Sequence, residues 1–82
     1  MVYYVYMLKS KGLKPVTYVG YTKNLDNRIR LHNIGKGAKF TRGRAWKVIY
    51  KEPFKSKSKA ISREYYIKNN IRLRNKIKKK YK

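Results

Sequence analysis

Val2-Tyr3-Tyr4-Val5-Tyr6-Met7-Leu8-Lys9 and, a short turn later, Val16-Thr17-Tyr18-Val19-Gly20-Tyr21 decide the fold of this chain. Both runs are β-branched and aromatic, a composition that packs well on a pleated surface. The first run holds so few polar residues that its strand is expected to be buried on both faces. Alternation places Tyr4, Tyr6 and Leu8 on one face and Tyr3, Val5 and Met7 on the other. Between the runs, Ser10-Lys11-Gly12-Leu13-Lys14-Pro15 reads as a turn punctuated by Gly12 and Pro15. The two strands therefore pair as an antiparallel hairpin.

Working outward, a helix is predicted from Asn24, a good N-cap, with Asp26 in the first turn where the helix dipole favours an acid. Leu25 and Ile29 supply its apolar stripe, and Asn33 and Gly35 end it near residue 34. Residues 35–44, Gly-Lys-Gly-Ala-Lys-Phe-Thr-Arg-Gly-Arg, form a glycine-punctuated basic loop. Ala45 to Phe54 predicts a third strand, with Trp46, Val48 and Tyr50 alternating and Pro53 marking its end. Ser56 or Ser58 caps a second helix reaching about Asn70, with Ala60, Ile67 and Ile71 on its apolar face. A last, short basic helix over residues 71–82 carries Ile71, Leu73 and Ile77. The order β-β-α-β-α-α implies an α+β fold: one domain over residues 1–82, with a small three-stranded antiparallel sheet flanked by helices.

Composition narrows the function. The 82 residues contain 24 Lys+Arg against 3 Asp+Glu, a formal net charge of +21. A+T-rich coding alone would inflate Lys, but it would not deplete Asp and Glu, so the selective loss of acids points to a polyanion. Nucleic acid is the expected partner and an anionic membrane surface the competing reading. Interleaved aromatic and basic residues favour nucleic acid, because stacking and phosphate contacts use the two together. With no cysteine and one histidine, disulfide frameworks, thiol nucleophiles and paired-histidine metal sites are excluded. The longest apolar run, Met1 to Leu8, is far short of the ~20 residues of a membrane span. No basic segment precedes it, so no signal peptide is expected. The expected location is intracellular, cytoplasmic or nucleoid-associated.

A few residues carry potential chemistry. Glu64 lies on the helix stripe shared by Ala60 and Ile67, where a carboxylate is costly unless it is paired. Two readings stand for it: a salt bridge to a basic neighbour, or a ligand for a divalent cation, which takes carboxylate oxygen. Arg28 and His32 are one helical turn apart on one face. His32 reads either as a cation favoured by the helix C-terminus or as a proton carrier; Arg28 reads as a surface charge or a phosphate clamp. Nine tyrosines against two phenylalanines suggest hydroxyls placed in polar sites, since a buried hydroxyl needs a partner. Tyr6 and Tyr18 sit on adjacent strands.

Tyr4-Val5-Tyr6, then Tyr18-Val19-Gly20, followed by Arg28, His32 and Glu64, resemble the GIY-YIG nuclease domain over roughly residues 2 to 80. The stretch Gly35-Lys36-Gly37-Ala38-Lys39 with Thr41-Arg42-Gly43 resembles the small stand-alone branch, related to the nuclease domain of the bacterial excision-repair endonuclease. The resemblance implies a divalent-metal-dependent endonuclease, using Mg²⁺ or Mn²⁺, acting on DNA in repair or recombination, with RNA left open. It implies that Tyr6 acts near the attacking water as base or orienting group and that Tyr18 lies near the scissile phosphate. Gly20 lets the backbone pass close under the site, and Arg28 stabilises phosphate charge. His32 corresponds to a position often occupied by His, and Glu64 to the carboxylate that holds one metal. Tyr4 departs from the family's glycine, and Asn75 is the only candidate for an asparagine seen in some members. Three acids spread along the chain cannot build a two-metal site, which agrees with a single ion on Glu64. Phosphate contacts are expected from Lys36, Lys39, Arg42, Arg44, Arg72 and Lys76. Substrate choice would fall to the 35–44 loop, the C-terminal segment or a partner protein. The alternative is a catalytically weak or inactive nucleic-acid-binding module of the same fold.

Overall fold

A computed structural model describes residues 2–81. Strand β1 (Tyr3–Ser10) and strand β2 (Thr17–Thr22) form the hairpin, followed by helix α1 (Leu25–Asn33), a 3-10 turn (Lys39–Thr41) and strand β3 (Trp46–Phe54). Helices α2 (Lys57–Lys68) and α3 (Ile71–Tyr81) complete the chain. The sheet order is β2-β1-β3, with both pairings antiparallel. The expected α+β architecture and element order are therefore present.

The central position of β1 explains its apolar sequence. A strand paired on both sides and covered on both faces has no solvent-facing row, and Val5, Tyr6, Met7 and Leu8 are all buried. On one face Tyr6 and Leu8 pack with Trp46, Leu25 and Ile29, so α1 covers that side. On the other, Val5, Met7 and Val19 pack with Ala60 and Ile67 of α2 and with Leu73 and Ile77 of α3. Both main helices are capped as their sequences suggest: the side chains of Asn24 and Ser56 accept the backbone N–H of Asn27 and Lys59.

Two expectations are corrected. Tyr50 does not share a face with Trp46 and Val48. The register jumps from Leu8↔Val48 to Met7↔Tyr50, so Ile49 is an extra residue on β3. This bulge turns Tyr50 toward the α2/α3 side. Ile71 is not part of the α2 face either: α2 stops at Lys68, and Ile71 opens α3 with 65% of its surface exposed. Asn70 breaks the continuity, its side chain accepting the N–H of Leu73 at the start of α3.

Candidate active site

A cleft of about 560 Å³ opens beside the edge strand β2, and Tyr6, Tyr18, Gly20, Arg28 and Glu64 all line it. Three elements converge there. The hairpin register sets Tyr6 directly opposite Gly20 and Leu8 opposite Tyr18. The two tyrosines are thus diagonal neighbours, with ring centroids 6.4 Å apart. A Cβ on Gly20 would stand 2.7 Å from Tyr6 Oη, so only glycine lets the phenol lie across β2. Asn24, Asn27 and Arg28, at the N-terminal end of α1, form the next wall. There the helix dipole and the guanidinium both favour an anion.

Behind Tyr6 lies His32, 1% exposed. Tyr6 Oη is 2.8 Å from His32 Nε2, and His32 Nδ1 is 2.9 Å from Thr41 Oγ1. Burial lowers the imidazole's pKa below its ordinary range, and the Arg28 charge pushes it the same way. The ring is neutral near pH 7. Of the two readings of His32, the cation favoured by the helix C-terminus does not fit this burial. Tyr6 is shifted upward, first by burial, then by Tyr18; Glu64 adds to the rise and Arg28 opposes it. A free phenolate at this position is out of reach near neutral pH.

Glu64 is held by α2 at the cleft wall, with 17% of its side chain exposed. Its Oε2 is 3.3 Å from Lys68 Nζ, one turn on, and the Lys68 side chain is 52% exposed. The ion-pair reading of Glu64 is thus realised, with a partner that is half exposed to solvent. Lys23 and Lys57 also line the cleft, as do Thr22, Asn24 and Asn27, whose side chains carry hard oxygen donors. One carboxylate with such groups and a substrate phosphate suits a Mg²⁺-like ion, which keeps several waters. Among the described residues, no group of three His, Cys, Asp or Glu side chains is placed to hold a metal.

The remaining sequence candidates divide by location. Lys36, Lys39, Arg42 and Arg44 are exposed on the loop that closes over His32. Phe40, at its tip, is 58% exposed and stacks on Tyr18 at 6.2 Å between centroids and 22° between planes. Arg72 and Lys76 are exposed on α3, and neither lines the cleft. Lys76 borders a separate depression with Ile49 and Tyr50, and Asn75 another with Lys9 and Thr17. The sequence reading assigned no role to Thr41, which is fully buried against His32. Its signal was its place in the Thr41-Arg42-Gly43 stretch that carries the family resemblance.

The family model described as the GIY-YIG catalytic domain matches residues 2–81. This chain belongs to the GIY-YIG family. The family is one of nucleases, so the expected substrate is nucleic acid. Among similar proteins, a UPF0213 protein of Clostridium perfringens is 53% identical over 70 residues, covering 84% of this chain and 73% of the relative. A UPF0213 protein of Haloquadratum walsbyi is 41% identical over 71 residues, covering 85% and 78%. The solution NMR structure of a UPF0213 protein from Bacillus halodurans matches with TM-score 0.55 and 40% identity, covering 93% of this chain and 80% of that one. Among the described residues of this GIY-YIG domain, no helix is long and apolar enough to cross a membrane.

Proposed function

We propose that this domain is a DNA endonuclease that hydrolyses phosphodiester bonds with the help of one divalent cation. The observation that carries the reading is the hydrogen bond between a buried His32 and Tyr6, which lines a cleft that also holds Arg28 and Glu64. The phenol's raised pKa argues against a preformed phenolate base. Instead, Tyr6 Oη accepts a proton from the attacking water while its own proton passes to His32 Nε2. The water oxygen bonds to phosphorus, the bond from phosphorus to the leaving oxygen breaks, and that oxygen takes its proton from solvent. Arg28 faces the charge that develops on the non-bridging oxygens. Tyr18 flanks the phosphate. Glu64 would hold Mg²⁺ or Mn²⁺, which when bound supplies positive charge to the phosphate oxygens.

Affinity in this reading comes from phosphate contacts by Lys36, Lys39, Arg42, Arg44 and the basic α3, including Arg72 and Lys76. Five to eight such contacts predict that log K falls with log salt at a slope of roughly −4 to −7. Fluorescence anisotropy in EDTA checks this; a slope near −1 would show that the basic surface is merely solvated. The reaction itself is tested on a panel of plasmid, branched DNA, single-stranded DNA and RNA, with and without Mg²⁺. Cut DNA in the Mg²⁺ arm supports the reading. Binding without cleavage of any member would favour the non-catalytic module.

A further inference from the structure

The two ring nitrogens of His32 are each within hydrogen-bond distance of a hydroxyl, and the surrounding donors and acceptors favour one tautomer. Thr41 Oγ1 is 2.9 Å from the Ala38 carbonyl oxygen and accepts the Ala38 N–H at 3.2 Å. When the Thr41 proton goes to the Ala38 carbonyl, Oγ1 can only accept from His32, so Nδ1 carries the ring proton. Nε2 is then bare and accepts from the Tyr6 hydroxyl. All three protons are placed. In the other tautomer, Thr41 donates to Nδ1 and Nε2–H donates to Tyr6 Oη. The Ala38 carbonyl then loses the Thr41 hydroxyl, and the Tyr6 proton is left with only the open cleft. The first arrangement satisfies all of these groups within the protein and is favoured.

We propose that Thr41 is a positioning residue that locks His32 in the Nδ1–H tautomer, so that Nε2 can take the Tyr6 proton. This rests on the reading above, in which Tyr6 accepts a proton from water. With Tyr6 donating to Nε2, its oxygen lone pairs stay free toward the cleft; with Nε2–H donating to Tyr6, one is occupied and the proton path is reversed. The loop is built to hold this arrangement. A Cβ on Gly37 would overlap His32 Nδ1, so glycine lets the loop close onto the ring. Trp46 Nε1 donates to the Thr41 carbonyl at 2.9 Å and fixes the turn from the β3 side. The groups facing the ring are Tyr6 from β1, Tyr18 from β2 with centroids 5.0 Å apart, Arg28 from α1 and Thr41 from the 3-10 turn. Of these only Arg28 is charged, and it disfavours the imidazolium.

His32 is the only histidine, so ¹⁵N NMR of the side chain reads its tautomer without ambiguity. The wild type is expected to show a protonated Nδ1 and a bare Nε2. Thr41→Val keeps the shape but removes the acceptor, and is expected to give a mixture or the opposite tautomer. Its kcat should fall roughly 10–100-fold, the range seen when the partner that orients a metal-ligating histidine is removed. DNA affinity in EDTA should be unchanged, and Thr41→Ser should restore both tautomer and rate. If Thr41→Val does not fold, Thr41→Ala carries the same expectation. A wild-type spectrum with Nε2 protonated would overturn the proposal, as would a folded variant with unchanged tautomer and rate. The NMR arm needs no activity: a wild type that cuts nothing, with a tautomer that still follows Thr41, would support the lock while removing the proposed reaction.

Discussion

Tyr6→Phe is expected to lower the cleavage rate by ~10²–10⁴, the usual worth of a general acid–base group, with DNA affinity in EDTA unchanged. The ring remains, so its packing against Leu8 and Trp46 survives. Only the hydroxyl is lost, and with it the bond to His32. Leaving the buried Nε2 without a donor costs about 1–3 kcal/mol, so the melting temperature should fall while the domain still folds at room temperature. Single-turnover cleavage alongside circular dichroism separates the two effects. Tyr18→Phe is the control. The Tyr18 hydroxyl makes no hydrogen bond to His32, so its loss should cost less than that of Tyr6. Equal rates for Tyr6→Phe and wild type would reduce Tyr6 to a core residue.

Glu64→Gln is expected to abolish metal-dependent cleavage and to leave the fold intact. The change removes a charge but little volume. The abandoned partner, Lys68, is half exposed, so water takes over its solvation. A pair with one partner half in water contributes on the order of 1 kcal/mol. DNA binding should persist or tighten, since a carboxylate near the phosphate path is gone. Plasmid nicking together with thermal unfolding decides the matter. Cleavage that survives would remove Glu64 from the metal site, and a large fall in melting temperature would make it a structural residue.

Much of this was legible in the sequence because it is written in periods and caps. The apolar alternation of β1 gave both faces of the sheet, and Asn24 and Ser56 marked their helix starts by the chemistry of exposed N–H groups. Tyr6, Tyr18, Arg28 and Glu64 were named together through their resemblance to the GIY-YIG motifs, and the structure brings all four to one cleft. What failed depended on events without a local signature. The bulge at Ile49 moved Tyr50 to the opposite face, and nothing in its composition distinguishes β3 from a regular strand. The break at Asn70 left Ile71 exposed although its spacing suits the α2 stripe. Thr41 was passed over because its role exists only where a loop from residues 35–44 folds back over a helix. A helix-end position suggested a charged His32; burial between β1, α1 and that loop made it neutral.

The most direct measurement is nicking of supercoiled plasmid by the wild-type protein across a Mg²⁺ titration, with Glu64→Gln and Tyr6→Phe run in parallel. The expected result is nicking that rises and saturates with Mg²⁺, stops on addition of EDTA, and is absent or severely slowed in both variants, although all three proteins bind the plasmid. Nicking by the wild type that is indifferent to EDTA, or no nicking with either Mg²⁺ or Mn²⁺ despite tight binding, would contradict it.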